Sequence, residues 1–151
     1  MLFETMVSKL SPRLTEIVNA LPLCEGIRVL EIGCGPGVAA REIANRIGSG
    51  HILAIDRSAT AIQMAVKNSQ QEINSGRLSF RQVKVEDFEL EEDEQPYDLA
   101  FAVRVGALDG RHPKVGQLAL RRIAKALTKQ GRLFIDGGDP LKEVLLDEYR
   151  Y

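Results

Sequence analysis

The stretch that decides the fold is VLEIGCGPG, residues Val29 to Gly37. A short, mostly apolar run leads into three glycines at alternate positions, Gly33, Gly35 and Gly37. Glycines in a turn after a strand let the chain turn tightly and bring backbone N–H groups close to a ligand, which is usually a nucleotide. Glu31, two positions before the first glycine, is unexpected there, because a carboxylate repels a phosphate.

Two classes of ligand use such a turn. A dinucleotide favours the spacing G-x-G-x-x-G, with its pyrophosphate at the helix N-terminus, whereas here the third glycine comes one position early and Val38 follows. Glu31 discriminates more strongly, because a carboxylate at the end of a strand repels a pyrophosphate and attracts a cation. S-adenosylmethionine carries a sulfonium and an ammonium but no phosphate. The stretch therefore favours S-adenosylmethionine over NAD.

A second carboxylate, Asp56, ends the next apolar run and lies 19 positions after Gly37 (56 − 37). A carboxylate at that place can accept hydrogen bonds from both hydroxyls of a ribose. NAD and S-adenosylmethionine both contain that ribose, so Asp56 indicates a nucleoside without choosing between them. Arg57 and Ser58 follow and can line the adenine side, although Ser58 also suits a helix N-cap.

Apolar periodicity predicts strands that alternate with helices along the chain. The predicted strands are 27–32, 51–55, 78–85, 97–103 and 132–136, and the predicted helices are 12–21, 38–47, 58–76, 113–129 and a short one from 139. This alternation predicts an α/β fold, a three-layer Rossmann-like sandwich with a mostly parallel twisted sheet of about five strands and helices on both faces. Ligands bind beyond the carboxyl ends of such strands, where the glycine turn lies.

Length and composition exclude several classes of protein. The 151 residues fit a single domain, 1–151, with an N-terminal helical segment over 1–25 and a short C-terminal helix over 137–151. A net charge of −1 and 5% aromatic residues disfavour a nucleic acid partner. The N-terminus has no long apolar stretch, so neither a signal peptide nor a membrane span is expected. The two cysteines lack zinc or disulfide spacing, which predicts no metal and a cytoplasmic location.

The segments EIGCGPG (31–37) and AID (54–56) resemble the class I S-adenosylmethionine-dependent methyltransferase family. The segments VEDF (85–88), YDLAFAV (97–103) and ALRRIAKALTKQGRLFI (119–135) resemble later parts of that family, and the resemblance spans residues 27–136. It implies a small, bacterial-type member that transfers a methyl group from S-adenosylmethionine to a small-molecule acceptor.

The resemblance also implies roles for the matching positions. Glu31 would orient the methionine end of the cofactor, Asp56 would bind the ribose, and residues 85–87 would contact the adenine. Lys84 stands where many relatives have the adenine-facing acid, so a neighbouring carboxylate is expected to substitute. The cofactor-binding residues expected on this basis are Glu31, Gly33, Cys34, Gly35, Pro36, Gly37, Asp56, Arg57, Val85, Glu86, Asp87, Val103 and Arg104.

The acceptor is expected at the loop RVGALDGRHP, residues 104–113, which follows the fourth predicted strand. Methyl transfer from a sulfonium mainly requires alignment of acceptor, methyl and sulfur, and a base is needed only where the acceptor must lose a proton. His112 and Asp109 are the candidate bases. Two other functions stay open: a non-catalytic S-adenosylmethionine-binding module or partner-dependent subunit, and an NAD-dependent oxidoreductase, which Glu31 disfavours.

The end of the chain departs from the family, which usually continues past the fifth strand with a helix and two more strands. Here fifteen residues follow Asp136 (151 − 136), so the resemblance implies that the last two strands are missing. The fifth strand would then be an open apolar edge, which invites pairing. We expect the C-terminal helix, a second copy of the chain in a homodimer, or a partner protein to cover it.

Overall fold

The computed structural model describes residues 9–150. Its strands are β1 (Arg28–Ile32), β2 (His51–Asp56), β3 (Leu78–Gln82), β4 (Tyr97–Ala102), β5 (Leu127–Asp136) and β6 (Leu141–Val144). Its α-helices are α1 (Pro12–Ala20), α2 (Val38–Ala44), α3 (Ala59–Asn68), α4 (Gln70–Asn74) and α5 (Pro113–Ala126), and single 3-10 turns occur at Val85–Asp87, Gly106–Leu108 and Asp147–Tyr149. Across residues 9–150, every helix is too short or too polar to cross a membrane. The prediction of no signal peptide concerns mainly residues 1–8, which lie outside the described part.

The strands form one sheet in the order β3-β2-β1-β4-β5-β6. The first five strands pair in parallel, and β6 pairs antiparallel with β5. The strand order reverses between β1 and β4, and the carboxyl ends of strands beside such a reversal form the usual ligand crevice of an open α/β sheet. The predicted Rossmann-like α/β fold is confirmed, with six strands rather than five.

Helices cover both faces of the sheet, so β1 is buried on both sides. Leu30 and Ile32 of β1 pack in the cluster that contains Ile123 of α5. Val29 packs on the opposite face, in the cluster that contains Ile43 of α2. Because side chains alternate along a strand, Glu31 points to the same face as Val29. The acid that precedes the glycine turn therefore lies on the α2 side of the sheet.

The prediction of a C-terminal helix is wrong, because residues 141–144 form the strand β6. The helix was predicted from the spacing of Leu141, Val144 and Leu145, yet Leu145 is 73% exposed. In the sheet, Val144 stands opposite Leu133 and both belong to the same apolar cluster. The unpaired backbone groups of β5 offer β6 a ladder of hydrogen bonds that an isolated helical turn lacks. β5 is therefore an interior strand, and the expectation that it forms an open edge is also wrong.

The predicted helix 38–47 ends at Ala44, and two further predicted helices also depart from their apolar spacing. α5 stops at Ala126 rather than near 129, because Leu127 is already extended and pairs with Tyr97 across an irregularity in the β4–β5 register. The predicted helix 58–76 is divided into α3 and α4 at Ser69. The hydroxyl of Ser69 is buried and accepts a hydrogen bond from Arg41 at 3.0 Å, so a tertiary contact accompanies the break.

The interior position of β5 has a measurable consequence for hydrogen exchange. We expect the amides of residues 133–136 to exchange uniformly slowly, because alternate N–H groups bond to β4 and to β6. The edge strand β3 should instead show alternating slow and fast amides along 78–82. Native-state exchange followed by NMR tests both statements. Fast exchange at every second residue of 133–136 would show that β5 is an edge strand.

Candidate functional site

The glycine turn between β1 and α2 passes its neighbours at distances that exclude larger side chains. Gly33 has φ 75°, and a Cβ there would lie 2.7 Å from Val105 Cγ2 of the loop after β4. Gly37 has φ 86°, and a Cβ there would lie 3.0 Å from Phe80 Cζ of β3. Both the left-handed backbone and the lack of space require glycine. The turn is thereby held between the loop after β4 and the β3 side of the sheet.

Asp56 connects this turn to the neighbouring helix. Its Oδ2 accepts a hydrogen bond from Gly35 N at 2.9 Å, and its Oδ1 accepts one from Ser58 N at 2.9 Å. A carboxylate oxygen can accept more than one hydrogen bond, so both oxygens keep capacity for a ligand. Ser58 Oγ in turn accepts from Ala61 N and caps α3, as its sequence position predicts. Asp56 thus stands in a fixed orientation at the end of β2.

Two adjoining cavities open at the carboxyl ends of the strands. The first, of about 610 Å³, has the following lining residues: Ile32, Gly33, Ile55, Asp56, Arg57, Val83, Lys84, Val85, Glu86, Arg104, Val105, Gly106, Ala107, Arg111, His112 and Val115. The second, of about 640 Å³, lies beyond β4 and β5 and shares Arg104, Val105 and Arg111 with the first. Both volumes fall in the range of small-molecule sites, and the shared residues place the two cavities side by side.

The first cavity brings together part of the set of residues predicted from the sequence. The predicted residues on its wall are Gly33, Asp56, Arg57, Val85, Glu86, Arg104 and His112. Asp109 lies on the wall of the second cavity. The predicted residues that line neither cavity are Glu31, Cys34, Gly35, Pro36, Gly37, Asp87 and Val103. Beside Lys84, Glu86 lines the first cavity and Asp87 does not.

Sequence reasoning missed mainly the apolar wall of the first cavity. Ile32 and Ile55 are the last apolar residues of β1 and β2, so their position at strand ends was a usable signal. Val105 and Val115 belong to separate segments that only the folded chain brings to the cavity. No local pattern marks such residues, because their role depends on which strands are neighbours.

Glu31 lies behind the turn rather than at the cavity mouth. Its side chain is 6% exposed, and its Oε1 is buried with no hydrogen-bond partner in the described part of the chain. Burial, together with the nearby charge of Asp56, raises the pKa of Glu31 to about 8, although the positive charge of Arg41 opposes the shift. At neutral pH Glu31 is therefore mainly protonated, so it does not carry the permanent negative charge that the sequence suggests beside the glycine turn.

Cys34 fills space within the turn. Its side chain is buried, and its Sγ donates to the carbonyl of Gly35 at 3.6 Å. Burial, followed by the charges of Glu31 and Asp56, raises the pKa of this thiol. A thiol that stays protonated is a poor nucleophile, so Cys34 is a packing residue here.

The loop after β4 contributes polar residues to both cavities. Arg104 has φ 58°, a left-handed conformation that non-glycine residues rarely adopt, and its N–H donates to Asp136 Oδ1 at 3.1 Å. Asp109 accepts hydrogen bonds from the backbone and side chain of Arg111, which lower the pKa of Asp109. A carboxylate stabilised in this way is a weak base. His112 keeps its place on the wall of the first cavity, directly before α5.

The sheet order, the glycine turn and the carboxylate at the end of β2 together define a class I S-adenosylmethionine-dependent methyltransferase fold. The chain belongs to the family described as "Methyltransferase domain", whose model matches residues 23–149. The resemblance inferred from the sequence is thus confirmed.

Individual relatives agree with this assignment. The chain is 30% identical over 149 residues to O-methyltransferase rstn1 of Aspergillus nomiae, covering 94% of this chain and 63% of that protein. It is 29% identical over 128 residues to the mitochondrial ubiquinone biosynthesis O-methyltransferase of Schizosaccharomyces pombe, and the match covers 76% of this chain and 44% of that protein. Among solved structures, the [4+2]-cyclase SpnF superposes with a TM-score of 0.66 at 27% identity, and the match covers 82% of this chain and 43% of that chain. The chain therefore spans less than two thirds of the length of these proteins.

A methyl group added in the turn should reveal how tightly it is packed. We expect Gly37→Ala to lower the free energy of unfolding by the left-handed strain of about 1–2 kcal/mol and by about 1–3 kcal/mol of overpacking against Phe80 and Ala65. Gly76→Ala is the matched control, because Gly76 has φ 82° with nothing within 4 Å of an added Cβ. Urea unfolding measures both variants. Equal losses of unfolding free energy in the two variants would show that the turn is not tightly packed at Gly37.

Glu31 should make stability depend on pH. Its folded pKa of about 8 lies above its value in the unfolded chain, so its contribution is complete below the unfolded pKa and is lost as pH rises through the folded value. Between the unfolded and the folded pKa of Glu31, we expect the free energy of unfolding to fall by up to about 1.4 kcal/mol for each unit of increase in pH. In Glu31→Gln this slope should disappear, whereas Glu16→Gln, at an exposed position, should retain it. Chemical unfolding at a series of pH values measures this dependence. A Glu31→Gln variant whose free energy of unfolding falls with pH as steeply as that of the wild type would contradict the raised pKa of Glu31.

Proposed function

We propose that this protein is an S-adenosylmethionine-dependent methyltransferase that acts on a small-molecule acceptor. The observation that carries the proposal is the placement of Asp56, which faces the first cavity while its oxygens hold the glycine turn and the start of α3. Such a carboxylate suits the two ribose hydroxyls of a nucleoside. Family membership supports the same reading, and the activity of the longer relatives comes to this chain as part of the proposal.

We place the adenosine between the ends of β2 and β3. Val83 and Val85 supply apolar surface there, and Glu86 supplies a carboxylate that can accept a hydrogen bond from the exocyclic amine. The methionine end would lie toward Gly33 and Arg104. When bound, S-adenosylmethionine supplies an electrophilic methyl on a sulfonium. The protein's own contribution is then alignment of the acceptor with that methyl.

The acceptor enters, in this proposal, from the second cavity. That cavity joins the first at Arg104, Val105 and Arg111, so an acceptor there would adjoin the methionine end. Three cations line it, Arg104, Arg111 and Lys142, against the two carboxylates Asp109 and Asp136. This excess of positive charge favours an acceptor with a negatively charged group. The names of the two O-methyltransferase relatives support a hydroxyl acceptor. We assign the base to His112, which lines the first cavity, rather than to Asp109, because the hydrogen bonds from Arg111 lower the pKa of Asp109 and make it a weak base.

A binding role without methyl transfer is the second candidate. It is supported by the similarity to the [4+2]-cyclase SpnF, because a cyclisation is not a methyl transfer. A homodimer or a partner protein also stays a proposal, but its sheet edge would be β6 and not β5. The two free cysteines, Cys24 and Cys34, support the proposal of a reducing, cytoplasmic location.

Calorimetric titration with S-adenosylmethionine, S-adenosylhomocysteine and NAD tests the proposed function. We expect the two S-adenosyl compounds to bind and NAD to bind far more weakly. Asp56→Ala should lose about 1–3 kcal/mol of binding free energy, because charge-assisted hydrogen bonds to the ribose are removed. Asp93→Ala, in an exposed loop away from both cavities, is the control. Unchanged binding by Asp56→Ala would remove this residue from the site.

Turnover distinguishes the two candidate functions. Methyl transfer to any member of a panel of hydroxylated acids identifies an enzyme, whereas binding of S-adenosylmethionine without turnover across the panel favours the binding module.

A further inference from the structure

Arg41 is a buried arginine in a place where the fold itself does not require one. It lies in the middle of α2 and is 8% exposed. Arginine is rarely buried unless it is paired or hydrogen-bonded, and in residues 9–150 the buried charged side chains are Glu31 and Arg41. An alanine or leucine at this helix position would pack at a lower desolvation cost. The guanidinium therefore calls for an explanation beyond helix packing.

The guanidinium of Arg41 is bonded to the backbone of the glycine turn. Its Nη1 donates to the carbonyl of Pro36 at 2.9 Å and to Ser69 Oγ at 3.0 Å. The missing side chain of Gly37 makes room for it, since a Cβ there would lie 3.2 Å from Nη1. Ser69 marks the break between α3 and α4. Arg41 therefore ties the turn to the junction of α3 and α4, which pack on the same face of the sheet as α2. Arg41 does not line the first cavity.

Arg41 also acts electrostatically on Glu31. The groups that face Glu31 are Asp56 from β2, which disfavours its ionisation, the thiol of Cys34, and Arg41 from α2, which favours it. Glu72 of α4 is the other acid near Arg41. Arg41 Nη2 and Glu31 Oε1 are both buried without a hydrogen-bond partner in the described part of the chain. A potential hydrogen-bond donor and a potential acceptor, one atom from each side chain, thus lie behind the same turn without a partner.

We propose that Arg41 is a positioning residue of the cofactor site, which clamps the glycine turn through Pro36 and supplies the counter-charge for an ionised Glu31. The inference rests on the proposed function and deepens it. A cationic ligand entering beside the turn favours the ionised acid, so Glu31 releases one proton to the solvent as the ligand binds. Arg41 keeps that ionisation accessible at neutral pH, although it contacts neither the ligand nor the reacting atoms.

The test is calorimetry of the whole chain with S-adenosylhomocysteine, which retains the ammonium of the cofactor. Titrations from about pH 6 to 9 in two buffers of different ionisation enthalpy give the affinity and the number of protons released. For the wild type we expect the affinity to increase with pH and protons to be released on binding below about pH 8. Glu31→Gln should abolish both the proton release and the pH dependence.

Three variants distinguish the hydrogen bond from Arg41 to Pro36, which is the clamp, from the effect of the positive charge of Arg41 on Glu31. Arg41→Met removes both, and we expect it to weaken binding at neutral pH at least tenfold and to move the midpoint of the pH profile upward by about one unit. Arg41→Lys keeps the charge without the fork-shaped donor set, so its midpoint should stay near that of the wild type while its affinity falls severalfold. Arg46→Met, at a partly exposed arginine paired with Glu42, is the control and should match the wild type.

The outcomes are distinct. Wild-type affinity and an unchanged pH profile in folded Arg41→Met overturn the inference, and circular dichroism verifies folding. If Arg41→Met does not fold, Arg41→Lys decides: a shifted midpoint or an undiminished affinity overturns the inference, and the expected pattern supports it. A wild type that binds no S-adenosyl compound at any pH overturns the proposed function, and the inference with it, before any variant is measured.

Discussion

The close passage of the glycine turn between its neighbours is the constraint on which the site depends. With no side chains at Gly33 and Gly37, the turn approaches Val105 on one side and Phe80 on the other. That approach lets Gly35 reach the carboxylate of Asp56. The turn, the end of β2 and the loop after β4 consequently form one cavity wall, and a bulkier residue at either glycine would push these three segments apart.

Burial changes how the acids of the site act. A carboxylate at Glu31 looks like a permanent negative charge when only its place beside the turn is considered, yet the folded protein places it in an apolar layer where the neutral form is preferred. In the proposed function, a cationic ligand and a proton therefore compete for this one carboxyl group. Asp56 differs because it remains partly exposed and is stabilised by two backbone N–H groups.

Local signals predicted the parts of the site that a single segment provides. The glycine spacing, the acid at the end of β2 and the serine cap of α3 depend on a few neighbouring residues, and they were correctly placed in the turn, at the strand end and at the helix start. The prediction failed at 141–144 and at 127–129, where apolar spacing fits a helix. In both places a strand forms because β4 or β5 offers a partner that no local pattern reveals.

The sequence by itself determined the class of fold, the position of the glycine turn and the position of the carboxylate at the end of β2. These follow from strand–helix alternation and from glycines that the backbone of the turn requires. Only the tertiary structure decided that Glu31 is buried beside Arg41, that Ser69 interrupts a helix to meet that arginine, and that β6 covers β5. The physical reason is that desolvation, ion pairing and strand pairing depend on groups distant in the chain, whose proximity exists only after folding.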